Sequence, residues 1–143
     1  MISNSVADIL LVENSPAEAA VIRSAVLQNK SECKIHWAKD GEEALRFIFN
    51  YESGKLQIHI PRLIILSLNI PHISGLEVLQ KIKAHPSTQH VMIISLLAAP
   101  AEIDVFSDAI KAGSNICLIK SPDCQVFVRK LKEELGYYWK VFE

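Results

Sequence analysis

One stretch constrains the fold of this chain more than any other: residues 62–78, which read RLIILSLNIPHISGLEV. An apolar run at 63–66 leads directly to Ser67, and Pro61 and Pro71 lie on either side of the largely apolar residues 62–70. A continuous apolar run of this kind is typical of a strand that is buried on both faces, as in the centre of a parallel sheet. Because such strands carry their chemistry at the carboxyl end, Ser67 is the first candidate site residue.

Strand and helix patterns alternate along the rest of the chain. Apolar, β-rich segments predict strands at 9–12, 33–38, 62–70, 91–95 and 115–120. Helical patterns follow each of them, with starts after Ser15, Asp40 and Ser74, a fourth helix at 100–112 and a fifth that opens at Ser121-Pro122. Five strands that alternate with five helices predict an α/β fold, doubly wound around a five-stranded parallel sheet. We expect residues 1–143 to form a single domain.

The segments between and after these elements gave three further expectations. Residues 50–61 are interpreted as a polar connection, in which Gly54 stops the second helix. Ser15 and Glu18 form a predicted capping box at the first helix, and Ser74 and Glu77 form a second one at the third helix. Residues 137–139, Tyr-Tyr-Trp, are interpreted as an aromatic tail after the last helix.

The composition excludes several classes of function. Half of the residues are apolar and the formal net charge is −1, so the basic excess that favours binding to nucleic acid or to an anionic membrane is missing. No apolar run reaches the ~18 residues of a membrane span, and the first residues do not resemble a signal peptide. The three cysteines, Cys33, Cys117 and Cys124, show no paired spacing. We interpret them as reduced thiols of a cytoplasmic protein.

The predicted topology brings polar side chains together at one edge of the sheet. These residues follow or end the first, third, fourth and fifth predicted strands: Glu13, Asn14, Ser67, Ser95 and Lys120. A lysine at the end of an apolar strand is costly to desolvate unless it is paired, and Glu13 is the obvious partner. We therefore expect an ion pair or a water bridge between Glu13 and Lys120.

Four segments together resemble the receiver domain of two-component response regulators, and the resemblance covers essentially the whole chain. They are ILLVENSP at 9–16, RLIILSLNIP with SGLEVL at 62–79, VMIIS at 91–95 and AGSNICLIK at 112–120. The long connection after the second helix and the aromatic end are most similar to the single-domain, phytochrome-associated regulators. The resemblance implies the flavodoxin-like receiver fold and a role in phosphorelay signalling.

In this family an aspartate that ends the third strand accepts a phosphoryl group from a histidine kinase, next to a Mg²⁺ ion. Carried over by resemblance, Glu13 fills the first acidic position, Asn69 offers a backbone carbonyl to the metal site, Ser95 fills the hydroxyl position and Lys120 the lysine position. Three positions depart from the pattern: Ser67 replaces the phosphoaccepting aspartate, Asn14 replaces the second acidic residue, and Cys117 replaces the switch aromatic.

The departures predict a pseudo-receiver whose phosphorylation chemistry is lost. Mg²⁺ is usually held by carboxylates, and only one of three acidic positions remains, so we expect no cofactor and weak or no Mg²⁺ binding. A serine hydroxyl cannot form an acyl phosphate and needs a base to become nucleophilic. We expect no enzymatic activity. An anion bound by Ser95 and Lys120 stays an open alternative.

Output is expected through protein contacts, with a histidine kinase, another signalling protein or a second copy of the chain. The predicted contact face is formed by the fourth helix, fifth strand and fifth helix, and includes Ala109, Cys124, Val128 and residues 137–139. Two alternatives remain: a receiver that still accepts phosphate on Ser67 or elsewhere, and a nucleotide- or flavin-binding protein. The second is disfavoured, because no glycine-rich loop follows the first strand.

Overall fold

The computed structural model describes residues 7–98 and 103–142, with side chains described for 7–98 and 104–140. In chain order the elements are β1 (Ile9–Val12), α1 (Pro16–Asn29), β2 (Ile35–Ala38), α2 (Gly41–Ile48), β3 (Phe49–Glu52), β4 (Lys55–Ile58), β5 (Leu63–Ser67), α3 (Gly75–Ala84), β6 (Met92–Ala98), α4 (Ile103–Lys111), β7 (Ile116–Lys120) and α5 (Cys124–Phe142). Five strands form a parallel sheet in the order β2-β1-β5-β6-β7. The predicted doubly wound α/β fold is confirmed.

The central strands are buried on both faces because helices cover both sides of the sheet. All residues of β1 and β5 are buried, as the continuous apolar runs predicted. Alternate side chains of these strands contribute to two separate cores. One core joins the sheet to α1 and α5 through residues such as Ile22 and Leu131. The other joins it to α2, α3 and α4 through residues such as Leu79 and Ala109.

The prediction of a polar connection at residues 50–61 was wrong. The chain forms an antiparallel hairpin there, in which β3 pairs with β4 and Tyr51 lies opposite Leu56. Gly54 does not stop a helix: Ser53 and Gly54 both have positive φ angles, of 52° and 76°, and form the two-residue turn of the hairpin. Such a turn matches the twist of the two strands. The pattern that indicates this hairpin is the alternation of apolar and polar residues on both sides of Ser53-Gly54 in the segment 49–58.

The aromatic residues at 137–139 were also misplaced, because they do not form a tail. Helix α5 continues through them to Phe142. Tyr138 and Trp139 are buried in the core on the α1 side, and the Tyr138 hydroxyl donates a hydrogen bond of 2.8 Å to the Arg62 carbonyl. Only Tyr137 of the three is exposed. The end of α5 therefore holds the helix to the amino-terminal edge of the sheet.

Two predicted strand ends near the site differ from the structure, and the first is that of β5, which ends at Ser67 and not at residue 70. The fourth strand of the parallel sheet, β6, ends at Ala98 and not at Ser95. The predicted start of the following helix at Pro100 lies outside the described residues, which resume at residue 103, where α4 is described to begin. Within the described part of the chain, no helix is long and apolar enough to span a bilayer.

Candidate functional site

The carboxyl ends of the parallel strands define a crevice at one edge of the sheet. Glu13 directly follows β1, Ser67 ends β5, Ala98 ends β6 and Lys120 ends β7. Strand register places Ala98 beside Lys120, and β5 lies between β1 and β6. The parallel arrangement thus brings together side chains that are up to 107 positions apart in the sequence.

The Lys120 ammonium is the centre of this crevice. Its Nζ lies 2.6 Å from Glu13 Oε1, 2.8 Å from Ser67 Oγ and 2.8 Å from Glu18 Oε1. An ammonium carries three N–H donors, and each of these oxygens can accept one of them. The Lys120 side chain is only 14% exposed, so these acceptors replace much of the water that it loses on folding. The structure thus contains the predicted pair of Glu13 and Lys120.

Glu13 is itself nearly enclosed, at 2% exposure. While Oε1 accepts from Lys120, its Oε2 accepts a hydrogen bond of 3.1 Å from the backbone N–H of Ser15. The Glu13 carbonyl accepts a further bond of 2.7 Å from the indole N–H of Trp37. Both carboxylate oxygens are therefore engaged, which compensates for the desolvation of the charge.

Sequence reasoning missed the third acceptor, Glu18. Its position in a predicted capping box suggested a purely local role at the start of α1. In the structure the Ser15 hydroxyl does accept from the Glu18 N–H, at 3.2 Å, but the Glu18 carboxylate contacts Lys120 instead. The signal that could have found it is topological: the first turn of α1 follows β1 and lies at the same sheet edge as the crevice.

Ser95 does not belong to the crevice, contrary to the prediction. It is the fourth of seven residues in β6 and lies three residues, or about 10 Å, before Ala98. Its hydroxyl is 2.7 Å from the Ser114 hydroxyl, and both residues are buried. The chain position that ends this strand carries the methyl group of Ala98, so no hydroxyl from β6 reaches Lys120.

Two amides lie at the rim of the crevice. Asn14 is exposed, and its side-chain N–H₂ donates a long hydrogen bond of 3.4 Å to the carbonyl of Lys39. Asn69 uses its side-chain oxygen to accept a hydrogen bond of 3.0 Å from the backbone N–H of Ala98. Asn69 thereby fixes the loop after β5 to the end of β6. Neither side chain contacts Lys120 through a described hydrogen bond.

Cys117 lies on β7 and faces the buried serines rather than the crevice. Its thiol is 3.8 Å from the Ser114 hydroxyl, and strand register pairs it with Ser95. Burial raises the pKa of the Cys117 thiol above its ordinary value of 9.0, and the hydrogen bond with Ser114 partly opposes this shift. A neutral thiol is therefore the stable form at neutral pH.

The described residues contain no group of three or more His, Cys, Asp or Glu side chains that could hold a metal ion. The chemical capacity of the crevice follows from its donor set. One ammonium is balanced by the carboxylates of Glu13 and Glu18, and a single hydroxyl, that of Ser67, already accepts from the ammonium. This set is typical of a buried polar network in which each charge has partners.

Comparison with known families gives one match that spans most of the chain. A family model described as response regulator receiver domain matches residues 9–132. This segment runs from the start of β1 to about the middle of α5, and includes every residue of the crevice.

Two similar proteins illustrate the match. A probable methanogenesis regulatory protein, FilR2 of Methanothrix harundinacea, is 30% identical over 131 residues, which cover 92% of this chain and 82% of the relative. Response regulator Rcp1 of Synechocystis is 31% identical over 108 residues, covering 73% of this chain and 71% of Rcp1.

Solved structures agree with the fold. The Mn²⁺-bound form of response regulator Rcp1 has a TM-score of 0.78 and 27% identity, and 94% of this chain aligns with 96% of that one. The phosphorylated cyanobacterial phytochrome response regulator RcpA has a TM-score of 0.82 at 24% identity, with 96% of this chain and 97% of that chain covered.

Proposed function

Because the chain belongs to the response regulator receiver domain family, we propose that it is a pseudo-receiver: a signalling module, formed by residues 1–143 as one domain, that acts through protein contacts without phosphorylation at Ser67. It has no enzymatic activity of its own under this proposal. Its three cysteines are all unpaired, which favours a reducing compartment, the cytoplasm.

The observation that carries the proposal is the side chain at the end of β5. The residue that lies beside Lys120 in the crevice is Ser67, whose hydroxyl accepts a hydrogen bond of 2.8 Å from the ammonium. A hydroxyl attacks a phosphoryl group only if a base removes its proton. The Glu13 carboxylate, which shares the ammonium with Ser67, has one oxygen on Lys120 and the other on the Ser15 N–H. It is therefore a poor base for Ser67.

Three further positions support the same proposal. Asn14, which replaces the second acidic residue expected from the family pattern, is exposed and lies outside the Lys120 network. Ala98 ends β6, where the pattern expects a hydroxyl. Cys117 is too short to act as a rotating aromatic and is held among buried serines. Each change removes a different side chain of the family pattern: the second carboxylate, the hydroxyl and the switch aromatic.

The donor set also does not fit Mg²⁺, and we propose that binding of this ion is lost or weak. Mg²⁺ requires near-octahedral oxygen coordination, normally with one or two carboxylates. Here the buried carboxylate of Glu13 is bound to the Lys120 ammonium, which repels a dication. Asn14 and Ser67 can supply only neutral oxygens. Rcp1 binds Mn²⁺ in its crystal structure, whereas in this chain both carboxylates of the crevice, Glu13 and Glu18, already contact the Lys120 ammonium.

Partner binding is proposed on the face formed by α4, β7 and α5. Phe106, Ile110 and Ile119 are large apolar residues of α4 and β7, and between 39% and 47% of each is exposed. Exposed apolar surface of this kind marks interaction sites. The partner is a histidine kinase, another signalling protein or a second copy of the chain.

The predicted membership of this face needs correction. Ala109 is fully buried in the core, and Tyr138 and Trp139 of α5 are buried in the other core, on the α1 side of the sheet. Cys124 is exposed and Val128 is half-buried, and both line a shallow groove along α5. The apolar area therefore comes from α4 and β7 more than from the end of α5.

Phosphorylation is tested directly with a small phosphodonor, acetyl phosphate, in the presence of Mg²⁺. Intact mass spectrometry should find no phosphoryl adduct on the wild-type chain. A stoichiometric adduct would contradict the pseudo-receiver proposal, and peptide mapping of that adduct would show whether Ser67 or another residue accepts the phosphoryl group.

A matched gain-of-function variant tests whether only the chemistry was lost. Asn14→Asp together with Ser67→Asp restores two carboxylates beside Glu13, so Mg²⁺ should raise the thermal unfolding temperature of the double variant and leave that of the wild type unchanged. If Mg²⁺ stabilises neither protein, the geometry of the crevice has diverged as well as its charges. If it stabilises the wild type, the proposed loss of metal binding is wrong.

Self-association is tested by size-exclusion chromatography with light scattering. If the partner is a second copy, the wild type should show a concentration-dependent dimer that Ile110→Glu abolishes, since a charge in an apolar interface is costly. Lys111→Gln, which also changes the formal charge of the same helix by −1, is the control for a change of charge alone. A monomer at all concentrations leaves a different protein as the partner.

A further inference from the structure

A carboxylate outside the expected site residues completes the crevice. Glu18 lies in the first turn of α1, and its Oε1 is 2.8 Å from Lys120 Nζ. Half of the Glu18 side chain is exposed, whereas Glu13, the other carboxylate on the same ammonium, is buried. Glu18 is therefore the partner of Lys120 that faces the solvent.

The local hydrogen bonds explain why the Glu18 carboxylate is free to reach across. In a complete capping box the third residue of the helix accepts a hydrogen bond from the N–H of the N-cap residue. At α1 that N–H, on Ser15, is already bound to Glu13 Oε2 at 3.1 Å. The Glu18 carboxylate has no role left in the cap and turns to Lys120.

The start of α3 gives an internal comparison. Ser74 caps α3 as Ser15 caps α1, and the two hydroxyls accept from the N–H groups of Glu77 and Glu18 at 3.1 and 3.2 Å. Each glutamate also lies in the first turn of its helix, where the helix dipole favours a negative charge. Only Glu18 of the two has an ion pair within the described structure.

The surroundings of Lys120 show what the contact provides. A cleft beside the crevice is lined by Glu18, Lys120 and Ser121, together with the less polar Val21, Cys124 and Phe127. Glu13 and Ser67 hold two of the three ammonium donors from the buried side. Without Glu18, the third donor would face this cleft, where an ammonium without a partner is costly.

We propose that Glu18 is a positioning residue for Lys120: it supplies the third acceptor from within the chain, closes the crevice on its solvent side and keeps the ammonium from outside reagents and ligands. The significance of this contact rests on the proposed function, because a pseudo-receiver needs no free lysine for a phosphoryl group. The crevice is then complete without any ligand.

Chemical footprinting of lysines tests the inference in the intact chain. The rate at which acetic anhydride acetylates Lys120 is measured by peptide mass spectrometry and normalised to the exposed Lys55, which lies on neither α1 nor α3. Glu18→Gln should raise the rate at Lys120 about tenfold, because it removes a charge-assisted hydrogen bond at a half-exposed site. Glu77→Gln, the matched change at α3, should leave it within about twofold of the wild type.

Two results would overturn the inference. One is an unchanged rate at Lys120 in Glu18→Gln, and the other is an equal rise in both variants, which would assign the effect to the helix cap and its dipole. Thermal unfolding followed by circular dichroism serves as the check that both variants are folded. The result is independent of the phosphodonor experiment, so a phosphoryl adduct on the wild type would remove the proposed function and leave the Glu18 contact to be judged by the footprint.

Discussion

Two fully buried serines, Ser67 and Ser95, lie on neighbouring strands of the same sheet and have different surroundings. Ser67 ends its strand and shares the ammonium of Lys120 with two carboxylates. Ser95 lies in the middle of its strand and shares a neutral hydrogen bond with Ser114. We call the first group, Glu13, Glu18, Ser67 and Lys120, the charged cluster, and the second, Ser95, Ser114 and Cys117, the neutral cluster.

The difference follows from position along the strand. At the carboxyl end, loops and helix starts supply polar groups and the sheet edge is close to water, so a charge can be kept if its partners are present. In the middle of the sheet the same hydroxyl is surrounded by apolar side chains, and a short neutral bond to another hydroxyl satisfies it. We therefore expect removal of one member to cost more in the charged cluster than in the neutral one.

The largest effect is expected from Lys120→Met. This change leaves the Glu13 carboxylate, 2% exposed, without its cation, and should lower the free energy of unfolding by about 3–5 kcal/mol. Urea denaturation followed by circular dichroism measures it. The exposed Lys81→Met is the control and should stay within about 0.5 kcal/mol of the wild type.

A second variant separates the charge from the packing. Adding Glu13→Gln to Lys120→Met removes the unpaired charge and should recover part of the lost stability, since a neutral amide costs less to bury than a carboxylate. If the double variant is no more stable than Lys120→Met alone, lost packing and not the unpaired carboxylate explains the destabilisation.

The two serines provide the most direct test of the comparison. Ser67→Ala removes an acceptor from an ammonium and should cost about 1.5–3 kcal/mol of unfolding free energy. Ser95→Ala should cost about 1 kcal/mol or less, because the Ser114 hydroxyl keeps its hydrogen bond of 3.0 Å to the Ile116 carbonyl. Equal losses in the two variants, measured by the same urea denaturation, would contradict the distinction between the clusters.

The sequence predicted the charged cluster better than the neutral one, and there is a physical reason. Glu13 and Lys120 each lie directly at the end of an apolar run, so the end of the pattern marks the end of the strand. The apolar run at 63–66 leads directly to Ser67, whose polar side chain marked the position although the strand was predicted to continue to residue 70. The strand that contains Ser95 continues as Leu96, Leu97 and Ala98, which are apolar as well. A serine inside such a run is easily taken for the end of the strand. In the structure, the pairing of Ala98 with Lys120 shows that β6 ends three residues after Ser95.

Glu18 and the hairpin were missed because their partners are distant or ambiguous in sequence. Glu18 satisfies a local capping pattern, and its actual partner is 102 positions away at Lys120. The hairpin begins directly at the end of α2, where Phe49 continues the apolar stripe of the helix. Local pattern alone does not decide between a third turn of helix and a first residue of strand at such a junction.

The last prediction involves no change of stability and concerns the reactivity of the thiols. The reactivity of Cys117 shows whether the neutral cluster contains a thiol or a thiolate. Burial raises the pKa of Cys117 above 9.0, and burial with the nearby Asp8 carboxylate raises that of Cys33 to about 11. Since the thiolate is the reactive form, its fraction at pH 8 falls as the pKa rises, about 100-fold for a shift of two pH units. Iodoacetamide at pH 8 should therefore label the exposed Cys124 first, Cys117 more slowly and Cys33 last, as followed by peptide mass spectrometry.

Labelling in urea is the control, in which the three rates should converge. Equal labelling rates of Cys117 and Cys124 in the folded chain would mean that the neutral cluster contains an accessible thiolate. That result would contradict the distinction between the charged and the neutral cluster.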